Sequence, residues 1–237
     1  MKTLQSLERY FATAAHYTGP LHLRQGIHPF VTISREAGAG GHSLAETLLE
    51  QMKAIDGIPV LRDWQVMDQE LCHKILENPH LKVSLEALLT EELHSEVEDI
   101  VNNLIGGYTS QSQVMIEMFR TIRKMAALGK VIIVGRGAVC LTRPLPYGIH
   151  VRLVAPRLIR IRRMMEHLHL SEREAGEVVA RLDNSRARLL KTYFSTDIRD
   201  PQLYDVTWNT ESVSLEEIAF SIIGLIQSRV EQAPAVA

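Results

Sequence analysis

Cysteine is scarce in this sequence: Cys72 and Cys140 are the only two in 237 residues. They lie too far apart for a C-x-x-C pair and fit no zinc spacing, which argues against a disulfide framework or a cysteine-based metal site and leaves two reduced, partly buried thiols. Long apolar runs are absent as well. No segment approaches the ~18 apolar residues of a membrane span, and the N-terminal MKTLQSLERYFATAAHY has no continuous apolar stretch of the kind that leads a chain to secretion. The expectation is a soluble, cytoplasmic protein with no membrane partner. An excess of one charge is also missing, since 26 Lys and Arg face 28 Asp and Glu for a formal net charge of -2. A dedicated nucleic-acid binder, which must neutralise many phosphates, is not expected from such a balance.

What is present is a globular composition, 46% apolar and 23% charged, in a length that suits one α/β domain with a helical insertion. Residues 1–28 read as an N-terminal helical extension, with Leu4, Leu7, Tyr10 and Phe11 on one side and a break at Gly19-Pro20. It is expected to pack on the main domain, residues 29–232, or on a partner chain. After Pro29 the run FVTIS has the continuous apolar character of a parallel strand buried on both faces. A helix from about Gly41 to Lys53 follows, with Leu44, Ala45, Leu48, Leu49 and Met52 at helical spacing, and Gly57 ends the unit. The next strand is expected at Ile58 to Leu61, with Asp63 and Asp68 after it.

From about residue 69 to 128 the pattern is helical. One stripe runs through Leu85, Leu88, Leu89, Leu93, Val97, Ile100, Val101 and Leu104, up to a break at Gly106-Gly107, and a further helix carries Val114, Met118, Phe119, Ile122 and Met125. The stripe would equally serve a homodimer, while Glu86, Glu91, Glu92, Glu96, Glu98 and Asp99 form a solvated face. Strand character returns at 130–138, 149–156 and 203–209. An arginine-rich helical stretch lies at about 157–194, with a capping box at Ser171 and Glu174; a second box, Ser214 and Glu217, opens the last helix, and residues 233–237 look like a disordered tail. This order is that of a doubly wound parallel sheet, in which ligands collect at the carboxyl ends of the strands.

One strand end is distinctive. VTISREAGAGGHSLAETLL, Val31 to Leu49, is strand, glycine-rich turn and helix, the construction of a phosphate-binding loop. Successive inward-pointing N–H groups need conformations that glycine adopts cheaply, and the helix behind adds partial positive charge. Gly38, Gly40 and Gly41 meet that need, with Ala39 between them. The pattern G-x-x-x-x-G-K-[ST] is nevertheless incomplete. Without a gap, Arg35 stands at the first glycine, Gly40 at the last, Gly41 at the lysine, and His42 with Ser43 at the hydroxyl pair; shifted by one, Gly41, His42 and Ser43 take the glycine, lysine and serine places. The first register puts Ala45 and Leu48 toward the sheet and is preferred. The lysine is absent in both.

ISREAGAGGHSLAETL, VMDQEL, VIIVGRGA, HVRLVAP, DNSR and YDVTWNT, in that order, together resemble the cytidylate kinase-like family of P-loop nucleoside monophosphate kinases, from residue 30 to about 226. The resemblance implies a three-layer α/β/α P-loop fold with a five-stranded parallel sheet, a helical insertion in the monophosphate-binding place and an arginine-rich lid. It implies ATP and Mg²⁺ as cofactors and a monophosphate acceptor as partner. The family typically carries ISRQ-x-G-S-G-G-R, so a loop without lysine is a shared trait; Glu36 and His42 stand where glutamine and arginine are usual.

Carried onto this chain, the resemblance has Gly38, Ala39, Gly40 and Gly41 holding donor phosphates, His42 or Ser43 nearest the metal, and Arg35 supplying the missing cation. Arg35 would otherwise pair with Glu36 or Asp68, and His42 would otherwise face solvent. GRGA matches the family's GRD segment, which makes Arg136 the acceptor-site arginine or, failing that, half of a surface ion pair; the aspartate itself is replaced. Arg181, Asp183 and Arg186 match the lid pattern R-x-D-x-x-R, with Asp183 orienting an arginine or capping a turn. Asp68 is an acceptor-side carboxylate or a helix cap. The segment supplies arginines that could close over the site, most of them expected on ordinary solvated helix faces. The implied reaction moves the γ-phosphoryl group of ATP to CMP or a related monophosphate. A catalytically weak nucleotide-binding regulator is the alternative, and a P-loop sulfotransferase fits the turn and lid patterns less well.

Overall fold

Neighbouring residues of the strand Phe30–Arg35 (β1) point to opposite faces, and both faces are covered. In the computed structural model, which describes residues 2–17, 28–89 and 111–232, Phe30 joins one buried cluster while Val31 and Ile33 join another. The strands Gln65–Met67 (β2), Val131–Val134 (β3), Gly148–Val154 (β4) and Val206–Asn209 (β5) complete a five-stranded sheet of order β2-β3-β1-β4-β5. Every pairing is parallel. With helices on both faces this is a three-layer α/β architecture.

One layer is made by Gly41–Ala54 (α2) and Leu215–Glu231 (α9). Leu44, Ala45, Leu48 and Met52 of α2 meet Ile218, Ile222 and Ile226 of α9 under the sheet. The other layer combines Lys2–Tyr17 (α1), Gln69–Glu77 (α3), Pro79–Ala87 (α4), Gln111–Leu128 (α5) and the short helix Ala138–Thr142 (α6). Leu7, Tyr10, Phe11 and Ala14 of α1 are buried there, and Tyr10 Oη donates to the Gly129 carbonyl at 2.6 Å. Leu93 to Leu104 of the apolar stripe, the acidic residues Glu91 to Asp99, the two glycine breaks and residues 233–237 lie outside the described residues.

The arginine-rich stretch forms two helices, Arg157–Leu168 (α7) and Glu172–Phe194 (α8). Both expected capping boxes are formed: Ser171 with Glu174 on α8, and Ser214 with Glu217 on α9. A small third core of Ala37, Ile161, Ala175 and Val179 fastens this helix pair to the glycine-rich loop.

The second strand departs from expectation. Ile58 to Leu61 is not a strand: Pro59–Leu61 is a single 3-10 turn, and the strand comes at Gln65–Met67. Proline at the first position pre-sets φ for a helical turn and lacks the ladder donor, so an apolar run bearing it is diverted from the sheet. Among the described residues no helix is long and apolar enough to cross a membrane.

Candidate functional site

Glycine conformations shape the loop between β1 and α2. Gly38 has φ 77° and Gly40 has φ 85°, and Gly40 caps α2 without any side-chain hydrogen bond. The first N–H groups of α2 therefore have no side-chain cap, which is the donor array an anion would use. A Cβ on Gly38 would lie 2.5 Å from the Arg160 carbonyl oxygen, so only glycine lets the loop sit against α7.

The loop is clamped from outside by arginines that sequence reasoning did not single out. Arg160 is buried, donates from Nε to the Ala155 carbonyl at 2.9 Å and from Nη1 to the Ala37 carbonyl at 3.1 Å, and pairs with Glu36 at 3.2 Å and Asp183 at 2.6 Å. Arg163 donates to the Thr210 hydroxyl at 2.8 Å and carbonyl at 2.7 Å, and reaches the Gly38 carbonyl at 3.4 Å. It thereby ties the turn after β5 to the glycine loop. The sequence signal for both was their i, i+3 spacing directly after a buried strand, which puts them on one helix face at the sheet edge.

Asp183 both pairs with an arginine and caps a backbone N–H of the glycine-loop turn. Its Oδ1 accepts the Ala37 N–H at 2.7 Å, its Oδ2 pairs with Arg160, and Arg186 stands 3.7 Å away. Arg186 also donates to the Arg35 carbonyl at 3.3 Å. Arg181 is not brought to this cluster. It lies two residues before Asp183, about 200° around α8, and is exposed.

Arg35 pairs with neither Glu36, which is held by Arg160, nor Asp68, which faces His42. Its stem crosses Gly41, where a Cβ would lie 2.8 Å from its Cγ, and its guanidinium occupies the space beside Gly135. Burial, then Arg186 and Arg136, press its pKa down to about 9, against a smaller opposing pull from Asp68. Arg136 and Arg186 are likewise lowered, burial first in each. Among the described residues the guanidiniums of Arg35 and Arg136 have no hydrogen-bond or ion-pair partner. Arg136 sits between Gly135 and Gly137 with φ values of 82°, 58° and 69° in succession, a left-handed run that costs a non-glycine residue on the order of 1 kcal/mol.

Around them, a cavity of about 150 Å³ is lined by Thr32, Ser34, Arg35, Gln69, Arg136 and Arg186 among others. Asp68 caps α3, its Oδ1 accepting the Leu71 N–H at 2.9 Å, while its Oδ2 lies 3.8 Å from His42 Nδ1. His42 is 57% exposed at its side chain, with its pKa lowered by partial burial and then by Arg35. Ser43 is exposed in the first turn of α2, and its hydroxyl has no hydrogen-bond partner among the described residues. The thiol of Cys72 is pushed up to about 12 by burial, which makes it inert.

A family model described as "Cytidylate kinase-like family" matches residues 30–212 of the 237. The chain belongs to this family. It is similar to the crystal structure of an uncharacterized protein from Eubacterium ventriosum, with a TM-score of 0.64 at 21% identity over 85% of this chain and 99% of that one. A shikimate kinase from Bacteroides thetaiotaomicron aligns at 14% identity and a TM-score of 0.40, over 87% of this chain and 96% of that one. No curated protein sequence matches the chain. As a kinase-like family member it is a candidate nucleotide-binding protein, and the arginine cluster stands at the carboxyl edge of β1 and β3, where the fold puts ligands.

Proposed function

We propose that this cytidylate kinase-like protein is a phosphotransferase that moves the γ-phosphoryl group of ATP to CMP or a related nucleoside monophosphate, in the cytoplasm and with Mg²⁺. The observation that carries the reading is that Arg35, Arg136 and Arg186, from β1, the β3 turn and α8, line one cavity, with the stem of Arg35 packed on Gly41 of the glycine loop. Three part-buried arginines, of which Arg35 and Arg136 have no hydrogen-bond or ion-pair partner among the described residues and only Arg186 pairs with a carboxylate, Asp183, make a site suited to an anion. Phosphoryl transfer is mostly positioning and charge neutralisation on the moving group. In this scheme the N–H groups of Gly38 to Gly41 receive the donor phosphates, Arg35 takes the place of the lysine, and Arg136 grips the acceptor phosphate in a bidentate fork. Arg186 lies between them, and Asp183 holds the lid on the loop.

The hydroxyl of Ser43 and the carboxylate of Asp68, beside His42, are oxygen donors that would suit Mg²⁺, which would supply positive charge to the phosphates when bound. A second reading, a nucleotide-binding regulator with little turnover, is favoured by one contact: the Ala37 N–H is already taken by Asp183. Assay of the purified protein with ATP and Mg²⁺ against a panel of monophosphates, alongside calorimetric binding, decides between them. ATP binding without transfer to any acceptor sinks the kinase reading and favours the regulator.

A further inference from the structure

An arginine in the middle of a strand buried on both faces is an anomaly, and β4 contains one. Arg152 is only 6% exposed. Its register partner in β1 is Ser34, so both side chains point to the same face of the sheet. Arg152 has no carboxylate partner among the described residues. Its one hydrogen bond is a long 3.5 Å contact to Tyr204 Oη, and its guanidinium carbon lies 5.5 Å from the centre of that ring. Tyr204 is itself fixed, with Oη donating to the Ile198 carbonyl at 2.9 Å and lying 3.2 Å from Ser34 Oγ. Burying a cation at this depth without a counter-charge is costly, and a guanidinium with most of its donors unused is built to receive an anion.

Arg152 lines a groove of about 580 Å³ that also includes Arg35 and Arg186 and runs past Arg188 and Lys191. The acids in its wall are engaged: Glu36 and Asp183 by Arg160, Asp197 by Arg199. The uncommitted charge of the groove is therefore positive, and it shares Arg35, Arg186 and Ile198 with the lining of the cavity proposed for the acceptor.

We propose that this groove is a second anion subsite, in which Arg152, braced by Tyr204, receives a phosphate or carboxylate that the acceptor carries in addition to its reacting phosphate. The substrate class is then a monophosphate with a further, separate anionic group. This rests on the kinase reading for the word acceptor, but the subsite itself is tested by binding alone.

The test is calorimetric titration of the whole protein with CMP, cytidine 3′,5′-bisphosphate and 3-phosphoglycerate, comparing the natural chain with Arg152→Met, whose apolar stem fills the same buried space. The bisphosphate or the phosphorylated carboxylic acid is expected to bind at least about tenfold more tightly than CMP, and Arg152→Met to remove that advantage while leaving CMP binding unchanged. Which of the two ligands shows the advantage identifies the second group as phosphate or carboxylate. Equal affinity for all three in the natural chain, or equal weakening of all three in Arg152→Met, overturns the subsite. Thermal melting checks that the variant folds; if it does not, Lys191→Ala at the groove's rim must show a loss of at least threefold in the same advantage, and its absence overturns the subsite too. Discrimination with no transfer from ATP would leave the subsite standing and remove the kinase reading.

Discussion

Asp183 and Ala37 are 146 residues apart in the chain, yet the carboxylate Oδ1 of one accepts the backbone N–H of the other at 2.7 Å. Through this contact helix α8 is fastened to the glycine loop. The same carboxylate pairs with Arg160, which grips the Ala37 carbonyl, so loop, α7 and α8 form one hydrogen-bonded unit.

Asp183→Asn keeps the shape but removes the charge facing Arg160. We expect a stability loss of about 1–3 kcal/mol in urea unfolding, because Glu36 still holds Arg160. Nucleotide affinity should fall about tenfold as the loop loosens. A rise in affinity would mean that the carboxylate blocks a loop amide, and would favour the regulator reading.

Arg35→Met retains the stem that packs on Gly41 and removes a guanidinium pressed by Arg136 and Arg186. The ligand-free protein should become more stable by about 1–2 kcal/mol, while binding of inorganic pyrophosphate or ATP weakens at least tenfold. Unchanged phosphate binding would show that Arg35 does not serve the loop.

Gly137→Asp would recreate the aspartate that the family's GRD segment carries. Here a Cβ at this position lies 2.6 Å from the Phe194 ring and 3.2 Å from Leu189, at φ 69°. The variant should lose about 2–4 kcal/mol and gain no activity, because the aromatic packing of α8 on the turn occupies that space. A fully stable, more active variant would refute this account of the substitution.

His150 titrates against stability. It is a buried residue of β4, sharing a 2.8 Å hydrogen bond between Nδ1 and the hydroxyl of its β1 register partner Thr32, and burial lowers its pKa from 6.5 to about 4 against the pull of Asp205, with Arg143 and Arg229 adding to the lowering. Because the unfolded chain binds this proton and the folded chain does not, the contribution is complete above pH 6.5 and is lost as the pH falls toward 4. Unfolding measured across that window should slope by up to about 1.4 kcal/mol per pH unit, for a total of roughly 3 kcal/mol. In His150→Gln that slope should become shallower by this share, while the lowered His28 and His42 keep part of the remainder.

Much of the fold could be read from local pattern because it rests on local physics. Continuous apolar runs marked β1, β3 and β4 as doubly buried, helical spacing marked α2 and α9, and both capping boxes form as read. The glycine loop was legible for the same reason: Gly38 and Gly40 occupy backbone conformations that their neighbours would avoid. The misreading of Ile58 to Leu61 came from weighing apolar content above the proline.

The site was less legible because charge placement is a long-range property. The i, i+3 spacing of Arg160 and Arg163 puts them on one helix face but does not say what that face meets; their roles, and the solvent-facing place of Arg181, follow from which face of α7 or α8 packs on the loop. Sequence alone determined the layers, the strand directions and the phosphate-type turn, since periodicity and glycine conformation act within a few residues. Only tertiary packing decided that Arg35 stands unpaired beside Gly41 and that Asp183 belongs to Arg160, because those facts depend on strands and helices distant in the chain arriving at one edge of the sheet.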